Sequence, residues 1–282
     1  MISELDRVLG GGLVAGQVVL IAGEPGIGKS TLLLQVSEKL GNVLYVCGEE
    51  SASQIAIRAS RLGFGKSKVQ LLEETDADSV TDTIYSMQGQ SLQGVIVDSI
   101  QTMTTPDLSG MAGSVGQVRE CAFRFLQTAK KLNIPLFLVG HVTKEGTVAG
   151  PAVLAHIVDT VIWFEGDKTT SLRLLRAVKS RFGPTDEVGI FSMEEGGLKS
   201  INNAQELFLG QKSTSQVPGS VISSILEGTR PILVQIEALV LSSKLAFPKR
   251  VSQGIDPKRV ELLLAVLTRR CGLPLYEYDV FV

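Results

Sequence analysis

The hydrophobic positions of this 282-residue chain fall into short apolar runs that alternate with helical patterns. The first run, at 18–22, is followed by apolar residues at helical spacing from Leu32 to Leu40, with Gly41 as a C-terminal stop. Similar short runs recur at 42–47, 68–72, 94–97, 134–140, 160–164 and 172–178. Strands that alternate with helices predict an α/β fold with a mostly parallel central sheet flanked by helices.

The pattern changes after residue 178 and predicts two folded regions. An antiparallel hairpin around Gly196 closes the first region, which we assign to residues 1–210. Residues 211–217 are polar and lack periodicity, which is typical of a linker. The second region, 218–282, is a smaller α+β region whose strands and one helix are predicted at 221–226, 232–241, 256–270 and 278–282.

The turn between the first strand and the first long helix carries the strongest chemical signal. It matches the phosphate-loop pattern GxxxxGK[ST] at every fixed position and lies between a strand and a helix N-terminus, as that motif requires. Lys29 is expected to reach the β- and γ-phosphates, and the Ser30 hydroxyl to ligate Mg²⁺. The motif predicts that the phosphates of a nucleotide with Mg²⁺ are bound by Gly23, Glu24, Pro25, Gly26, Ile27, Gly28, Lys29, Ser30 and Thr31, and the family resemblance described below implies that this nucleotide is ATP.

Acidic residues follow two of the predicted buried strands. Glu49 and Glu50 come after the strand at 42–47, where a carboxylate can activate water or simply lie solvated in a first helical turn. Asp98 ends the strand at 94–97, which is the Walker B pattern of an acid that holds Mg²⁺. Because the carboxyl ends of parallel strands meet at one edge, we expect these acids near the phosphate loop.

Other polar positions allow two interpretations. His141, at the end of a strand, either contacts the γ-phosphate or is structural, as lone histidines more often are. Lys179 and Arg181 lie in a turn, where a solvated pair of cations is the usual case. The segments 102–116 and 143–150 have the composition of loops.

Composition narrows the function classes. The chain is 44% hydrophobic and 20% charged, as globular proteins are. Its net charge is −2, so any contact with DNA must come from a local patch of cations. Aromatic residues make up 5%, which argues against a surface built mainly on base stacking.

The cysteines and the hydropathy bear on location. Cys47, Cys121 and Cys271 lie far apart without metal-binding spacing, so we expect buried free thiols in a reducing compartment. No apolar run approaches the ~20 residues that a membrane span needs, so no membrane association is expected. We expect a protein of the cytoplasm, or of the stroma or matrix of an organelle.

The order of these features resembles the RecA-type ATPase core. Four motifs narrow the resemblance to the bacterial RadA (Sms) family: LDRVLGGG at 5–12, GEES at 48–51, VGHVTKEG at 139–146 and KSRFG at 179–183. The family motif has Asn where this chain has Ser180, which leaves both cations in place. The resemblance implies an ATP-driven, DNA-stimulated hexameric motor on single-stranded DNA, acting in repair and recombination alongside RecA recombinase.

The resemblance also implies roles for single residues. Glu49 would be the catalytic carboxylate, with Glu50 as the fallback, and His141 would contact the γ-phosphate. Lys179 and Arg181 would act on the nucleotide of a neighbouring subunit. The loops at 102–116 and 143–150 would face DNA.

Two features of the family pattern are missing or partial. The family begins with a four-cysteine zinc finger, which this chain lacks, and residues 218–282 resemble only the first portion of its Lon-protease-like domain. We expect a core fragment or a reduced variant, and the missing zinc finger puts RecA contact in doubt. A KaiC-like, nucleotide-timed oligomeric scaffold that does not translocate on DNA is the alternative function.

Overall fold

The computed structural model describes residues 2–64, 68–141, 151–166, 171–201 and 218–282. Backbone contacts divide the chain into two compact units, residues 1–202 with 228–230 and residues 203–227 with 231–282. The predicted domain boundary at 210 and the predicted linker lie outside the described residues, so both remain predictions.

The first unit is built on one nine-stranded sheet. Its strands are β1 (Val18–Gly23), β2 (Val43–Cys47), β3 (Val69–Leu72), β4 (Gly94–Asp98), β5 (Leu136–His141), β6 (Thr160–Glu165), β7 (Leu172–Lys179), β8 (Val188–Glu194) and β9 (Gly197–Ser200). Their order in space is β3-β2-β4-β5-β1-β6-β7-β8-β9. The pairs among β1–β6 are parallel, and β6–β9 pair antiparallel. The predicted α/β sheet with its closing hairpin is therefore confirmed.

Helices cover both faces of this sheet, so successive residues of a central strand pack against opposite layers. They are α1 (Ser3–Val8), α2 (Lys29–Leu40), α3 (Ala52–Arg61), α4 (Ala77–Ser86), α5 (Val115–Leu132) and α6 (Pro151–Leu154), with short 3₁₀ turns at 88–90 and 100–102. On β1, Val19 and Ile21 pack in the cluster formed with α1, α2 and α3. Val18 and Leu20 pack in the cluster formed with α4 and α5.

Helix α5 buries one glutamine that its apolar periodicity does not predict to be inside. Gln117 falls among polar positions in the sequence, yet its side chain is buried and forms hydrogen bonds with Thr105 and Leu108. On the same helix, Arg124 forms ion pairs with Asp78 and with Asp107. These contacts tie the loop at 102–116 to α4 and α5.

The second unit has two small sheets and one long helix among its described residues. Its elements are β10 (Ser220–Glu227), β11 (Arg230–Glu237), β12 (Leu239–Ser242), β13 (Arg250–Val251), α7 (Pro257–Cys271), a 3₁₀ turn at 275–277 and β14 (Tyr278–Phe281). The strand predicted at 232–241 is thus two strands, interrupted at Ala238. Asp256 caps α7 by accepting hydrogen bonds from backbone N–H groups of its first turn.

The burial of the cysteines tests one further expectation. Cys47 and Cys121 are buried free thiols, but Cys271 is exposed at the end of α7, so the expectation was wrong for that residue. Among the described residues, no helix could span a membrane.

The turn after β7 packs closely against the glycine run that follows α1. A Cβ atom built on Gly183 would lie 2.7 Å from the Cα atom of Gly10. The Ser180 hydroxyl accepts hydrogen bonds from the backbone N–H groups of Phe182 and Gly183, which fixes the turn. Two sequence motifs from opposite ends of the first unit therefore meet through a backbone contact that only glycine permits.

We expect Gly183→Ala to lower the free energy of unfolding by about 1–3 kcal/mol, because the added methyl group overlaps Gly10. The matched control is Gly116→Ala, where an added Cβ has no neighbour within 4 Å. That variant should be unchanged or up to about 1 kcal/mol more stable, since Gly116 lies in a helix. Urea denaturation of both variants measures the difference. Equal stabilities would contradict the close approach.

Candidate functional site

The phosphate loop has the backbone that its sequence predicts. It leaves β1 at Gly23 and enters α2 at Lys29, with Gly28 as the N-cap residue at a φ of 118°. A Cβ atom on Gly23 would lie 2.4 Å from the carbonyl oxygen of Phe164 on β6. At the N-terminus of α2, the first backbone N–H groups have no partner within the helix and can bind an anion.

Lys29 is held inside this loop. Its side chain is 4% exposed, and its ammonium group donates to the carbonyl oxygens of Gly23 and Glu24, each at 2.9 Å. Burial lowers the pKa of Lys29 to about 8, although Asp98 and Glu49 act in the opposite direction. The loop thus contributes a cation whose charge is stabilised by nearby carboxylates.

A cleft of about 320 Å³ lies beside the loop at the carboxyl edge of the parallel strands. It is lined by Pro25, Gly26, Gly28, Lys29, Ser30, Thr31, Cys47, Glu49, Glu50, Ile55, Arg58, Asp98 and His141. Of the other predicted loop residues, Gly23 and Glu24 bind Lys29 through their carbonyl groups. Ile27 is buried in the core below.

Parallel register explains why these residues meet. Gly23 at the end of β1 pairs with His141 at the end of β5. Asp98 at the end of β4 pairs with Cys47 at the end of β2, two residues before Glu49. Four strand ends thus deliver a loop, two acids and an imidazole to one place, as expected for an open α/β sheet.

Glu49 is held by two donors. The Ser99 hydroxyl donates to its Oε1 atom, and Nε2 of His141 lies 3.1 Å from its Oε2 atom. The hydrogen bond with His141 is the largest effect that lowers the pKa of Glu49 below its usual value, and Ser99 and Lys29 add to it. Glu49 is therefore an ionised, oriented carboxylate in the cleft, which is the state that a base toward water requires.

Glu50 points to a different partner. Its Oε1 atom lies 2.6 Å from the guanidinium of Arg58, two turns along α3. Ser51 caps that helix through a reciprocal pair of hydrogen bonds with Gln54, which fixes the chain as it leaves β2. The sequence left Glu49 and Glu50 as alternatives, and these contacts favour Glu49 because Glu50 is already neutralised.

Asp98 is nearly buried and has a close partner. The Tyr45 hydroxyl donates to its Oδ2 atom at 2.6 Å. Burial and the charge of Asp98 raise the pKa of Tyr45 well above its usual value, so the phenol stays protonated as a donor. Asp98 and Ser30 both line the cleft, and hard oxygen donors of this kind suit Mg²⁺.

The donor atoms of Glu49, Asp98 and His141 all lie within 4.8 Å of one another. Carboxylate and imidazole groups this close together can share a cation, and the predicted Mg²⁺ site at this place stays a prediction. The residues present thus fit a metal–nucleotide complex, with Ser30 and Asp98 as its predicted holders.

Lys179 and Arg181 lie at the opposite edge of the sheet. Lys179 pairs with Val161 near the beginning of β6, whereas the phosphate loop follows the end of β1. The length of β1, roughly 16 Å at the rise of a strand, separates the two edges. The pair therefore lies away from the phosphate loop of its own chain.

Both cations have partners there. Lys179 donates to the carbonyl oxygens of Ala155 and Val158, and burial lowers its pKa. Arg181 lies 3.2 Å from Oδ1 of Asp159 and remains 53% exposed. A simple solvated pair therefore does not describe them, since each is fixed by the region between α6 and β6.

Asp159 organises this second cluster. Its side chain is 1% exposed, and its Oδ2 atom accepts from the backbone N–H of Val18 and from the ammonium group of Lys130. That ammonium group also lies 5.6 Å from the ring centroid of Phe182. The turn that carries Arg181 is thus anchored to α5 and to the beginning of β1.

A family model of KaiC ATPases matches residues 1–203. The chain belongs to the KaiC ATPase family. The chain is also similar to proteins called "DNA repair protein RadA". One from Bacillus subtilis is 50% identical over 285 residues and one from Pseudomonas aeruginosa is 50% identical over 283. These relatives confirm the resemblance to bacterial RadA.

The matches cover this chain and its relatives unequally. The matches take in 100% and 99% of this chain but only 61% and 62% of the two relatives. A third, from Streptococcus pneumoniae, is 50% identical over 99% of this chain and 66% of its own. This chain thus spans less than two thirds of the length of these relatives.

A solved structure supports the fold alone. That structure, described as an ATPase domain, superposes with a TM-score of 0.60 at 14% identity, covering 71% of this chain and 90% of its own. The KaiC-family chain accordingly has a RecA-type ATPase core.

Several residues of the site were not predicted from the sequence. They are Tyr45, Arg58, Ser99, Lys130 and Asp159, which hold the predicted residues in place. Tyr45 gave one usable signal, because it carries the one hydroxyl group in the apolar run at 43–47. No local sequence pattern predicts the contact between Lys130 and Asp159, because it depends on how α5, β1 and the segment before β6 pack together.

The contacts of the two glutamates lead to opposite expectations for this KaiC-family site. Glu49→Gln should bind ATP and hydrolyse it at least ~100-fold more slowly, because an amide cannot accept the proton of water. Glu50→Gln is the matched control and should keep most of the rate, since it weakens only the contact with Arg58. Equilibrium ATP binding and single-turnover hydrolysis measure the two steps. Normal turnover by Glu49→Gln would contradict the assignment.

Proposed function

We propose that this chain is the ATPase core of a nucleotide-driven motor on single-stranded DNA that acts in DNA repair and recombination. Its action would be the processing or branch migration of recombination intermediates. The observation that carries the proposal is the split of the site between two edges of the sheet. Lys29, Glu49 and Asp98 lie at one edge, and Arg181 lies at the other.

The split supports a ring of subunits. Charge on the γ-phosphoryl group spreads over several oxygens during transfer, and the phosphate loop covers only one side of it. Arg181 is more than half exposed and lies away from its own loop, so it is available to a neighbouring chain. A heterologous contact forms a ring when its repeated rotation returns to the first subunit, and we propose a hexameric ring on the family resemblance.

Each residue then has a role toward ATP. Lys29 and the N-terminus of α2 bind phosphate, and Ser30 with Asp98 hold Mg²⁺, which supplies charge neutralisation at the phosphates when bound. Glu49 takes the proton of the attacking water, while His141 orients Glu49 and contacts the γ-phosphate. Arg181 of one subunit stabilises the charge that develops in the site of the next.

The names of the relatives and the position of one loop support the DNA part of the proposal. The relatives at about 50% identity are called DNA repair proteins. The loop at 102–116 begins shortly after Asp98 at the end of β4, so a movement of Asp98 on nucleotide binding can reach the loop through a few residues of chain. The second predicted DNA loop, 143–150, lies outside the described residues. We also retain RecA recombinase as a proposed partner, on the family resemblance alone.

A scaffold function is the second candidate, because the matching family model is that of KaiC. Such a protein would use the same cleft to time its assembly without moving on DNA. The two functions differ in whether DNA changes the rate of ATP hydrolysis.

We expect single-stranded DNA to stimulate ATP hydrolysis and to bind in a salt-dependent way, since phosphate contacts release counterions. Lys144→Ala, in the predicted loop at 143–150, should weaken binding. Lys199→Ala, an exposed cation on β9, is the control and should not. Steady-state ATPase assays and fluorescence anisotropy across a salt series measure both effects. Unchanged hydrolysis with DNA present would favour the scaffold function.

Mixing two inactive variants tests whether Arg181 acts on a neighbour. Arg181→Ala should fold, bind ATP and lose ~10³-fold or more of its hydrolysis rate, and Lys29→Ala should fail to bind ATP. In mixed assemblies some interfaces join an intact phosphate loop to an intact Arg181, so activity should partly return. The control mixes Arg181→Ala with the Lys29→Ala/Arg181→Ala double variant, which offers no such interface. Absence of recovery, with mixed assemblies seen by native mass spectrometry, would contradict the proposal.

A further inference from the structure

A hydroxyl group lies beneath the nucleotide cleft, within the apolar layer between the sheet and α2. It belongs to Tyr45, which is 0% exposed and packs in the same cluster as Ile96 and Phe137. A buried phenol requires a hydrogen-bond partner. The partner of Tyr45 is Asp98, through a 2.6 Å bond from the hydroxyl group to Oδ2.

Register brings the two side chains together. Tyr45 pairs with Ile96 and Cys47 pairs with Asp98 in the parallel ladder of β2 and β4. The four side chains lie on one face, because residues two apart along a strand point the same way. Tyr45 is therefore the diagonal neighbour of Asp98, and its ring is long enough to span the roughly 6.6 Å between successive side chains on that face.

The bond determines how the carboxylate is oriented. Asp98 is 7% exposed, so an unpaired oxygen would be costly. With Oδ2 fixed by Tyr45, the carboxylate cannot rotate freely, and its other oxygen is left for the cleft that Asp98 lines. Carboxylates that serve metal ions are commonly oriented by such outer hydrogen bonds.

We propose that Tyr45 is a positioning residue for Mg²⁺–nucleotide binding, which acts by fixing the Asp98 carboxylate in its metal-binding orientation. The inference rests on the proposed role of Asp98 and extends it to a residue that does not line the cleft. A purely structural bond would affect the stability of the fold and leave the Mg²⁺ requirement unchanged.

The experiment titrates Mg²⁺ against equilibrium binding of a fluorescent non-hydrolysable ATP analogue, so it needs neither turnover nor DNA. Tyr45→Phe removes the hydroxyl group and keeps the ring. It should raise the half-saturating Mg²⁺ concentration by ~10–100-fold, the cost of losing an outer hydrogen bond to a metal ligand. Affinity for the analogue in EDTA should not change. Tyr85→Phe, in which the ring that contacts Lys131 remains, is the control and should match the unmodified chain.

A second comparison covers the case in which Tyr45→Phe folds poorly because it leaves a buried charge unpaired. Asp98→Asn and the Tyr45→Phe/Asp98→Asn double variant carry no such charge. If Tyr45 acts through Asp98, the Asp98→Asn variant and the double variant should have the same Mg²⁺ requirement. A further increase in the double variant would overturn the inference.

The remaining outcomes separate this inference from the proposed function. If Asp98→Asn raises the Mg²⁺ requirement and a folded Tyr45→Phe does not, the positioning role is wrong and the role of Asp98 stands. If Asp98→Asn has no effect on the Mg²⁺ requirement, the proposed role of Asp98 fails, and the positioning role fails with it.

Discussion

The parallel register of β2, β4, β5 and β1, which lie side by side in the sheet, is the constraint on which the rest of the site depends. It places the ends of β1, β2, β4 and β5 at one edge, although their residues lie far apart in the chain. A register shift of one residue would turn each side chain to the opposite face. The fully buried strands make such a shift costly, because both faces are packed against helices.

The polar side chains at this edge of the sheet each have a hydrogen-bond partner. Lys29 is buried against carbonyl oxygens, Glu49 is bound by Ser99 and His141, and Asp98 is bound by Tyr45. A buried charge such as the ammonium group of Lys29 would cost several kcal/mol or change its protonation state without such partners. The hydrogen bonds therefore keep the charges in place and also determine the direction in which each group points.

At the opposite edge of the sheet, a buried charge is again paired, and the pairing positions an exposed arginine. Asp159 is buried and is neutralised by Lys130, while its other oxygen contacts Arg181. Because Lys130 from α5 already neutralises Asp159, the contact with Asp159 can hold Arg181 in position while its guanidinium stays exposed. In our proposal, one edge of the sheet binds ATP and the opposite edge supplies Arg181 to the site of the next subunit. Hydrolysis then depends on how the subunits meet.

The sequence alone determined the strand and helix order, the phosphate loop and the acids that follow β2 and β4. These features are local, because each rests on periodicity or on a motif whose residues are adjacent. The residue pattern did not show whether Glu49 or Glu50 is the catalytic carboxylate, because neighbouring glutamates differ only in what they contact. The contact of Glu50 with Arg58 depends on the geometry of α3.

Only the tertiary structure decided the partners across the sheet. The bond between Tyr45 and Asp98, the burial of Gln117 and the meeting of Lys130 with Asp159 each join elements that are distant in the chain. It also decided that Arg181 lies at the far edge from Lys29, which no spacing in the sequence encodes. The physical reason is that a side chain's charge and hydrogen bonds depend on its neighbours in space, and strand order and register set those neighbours.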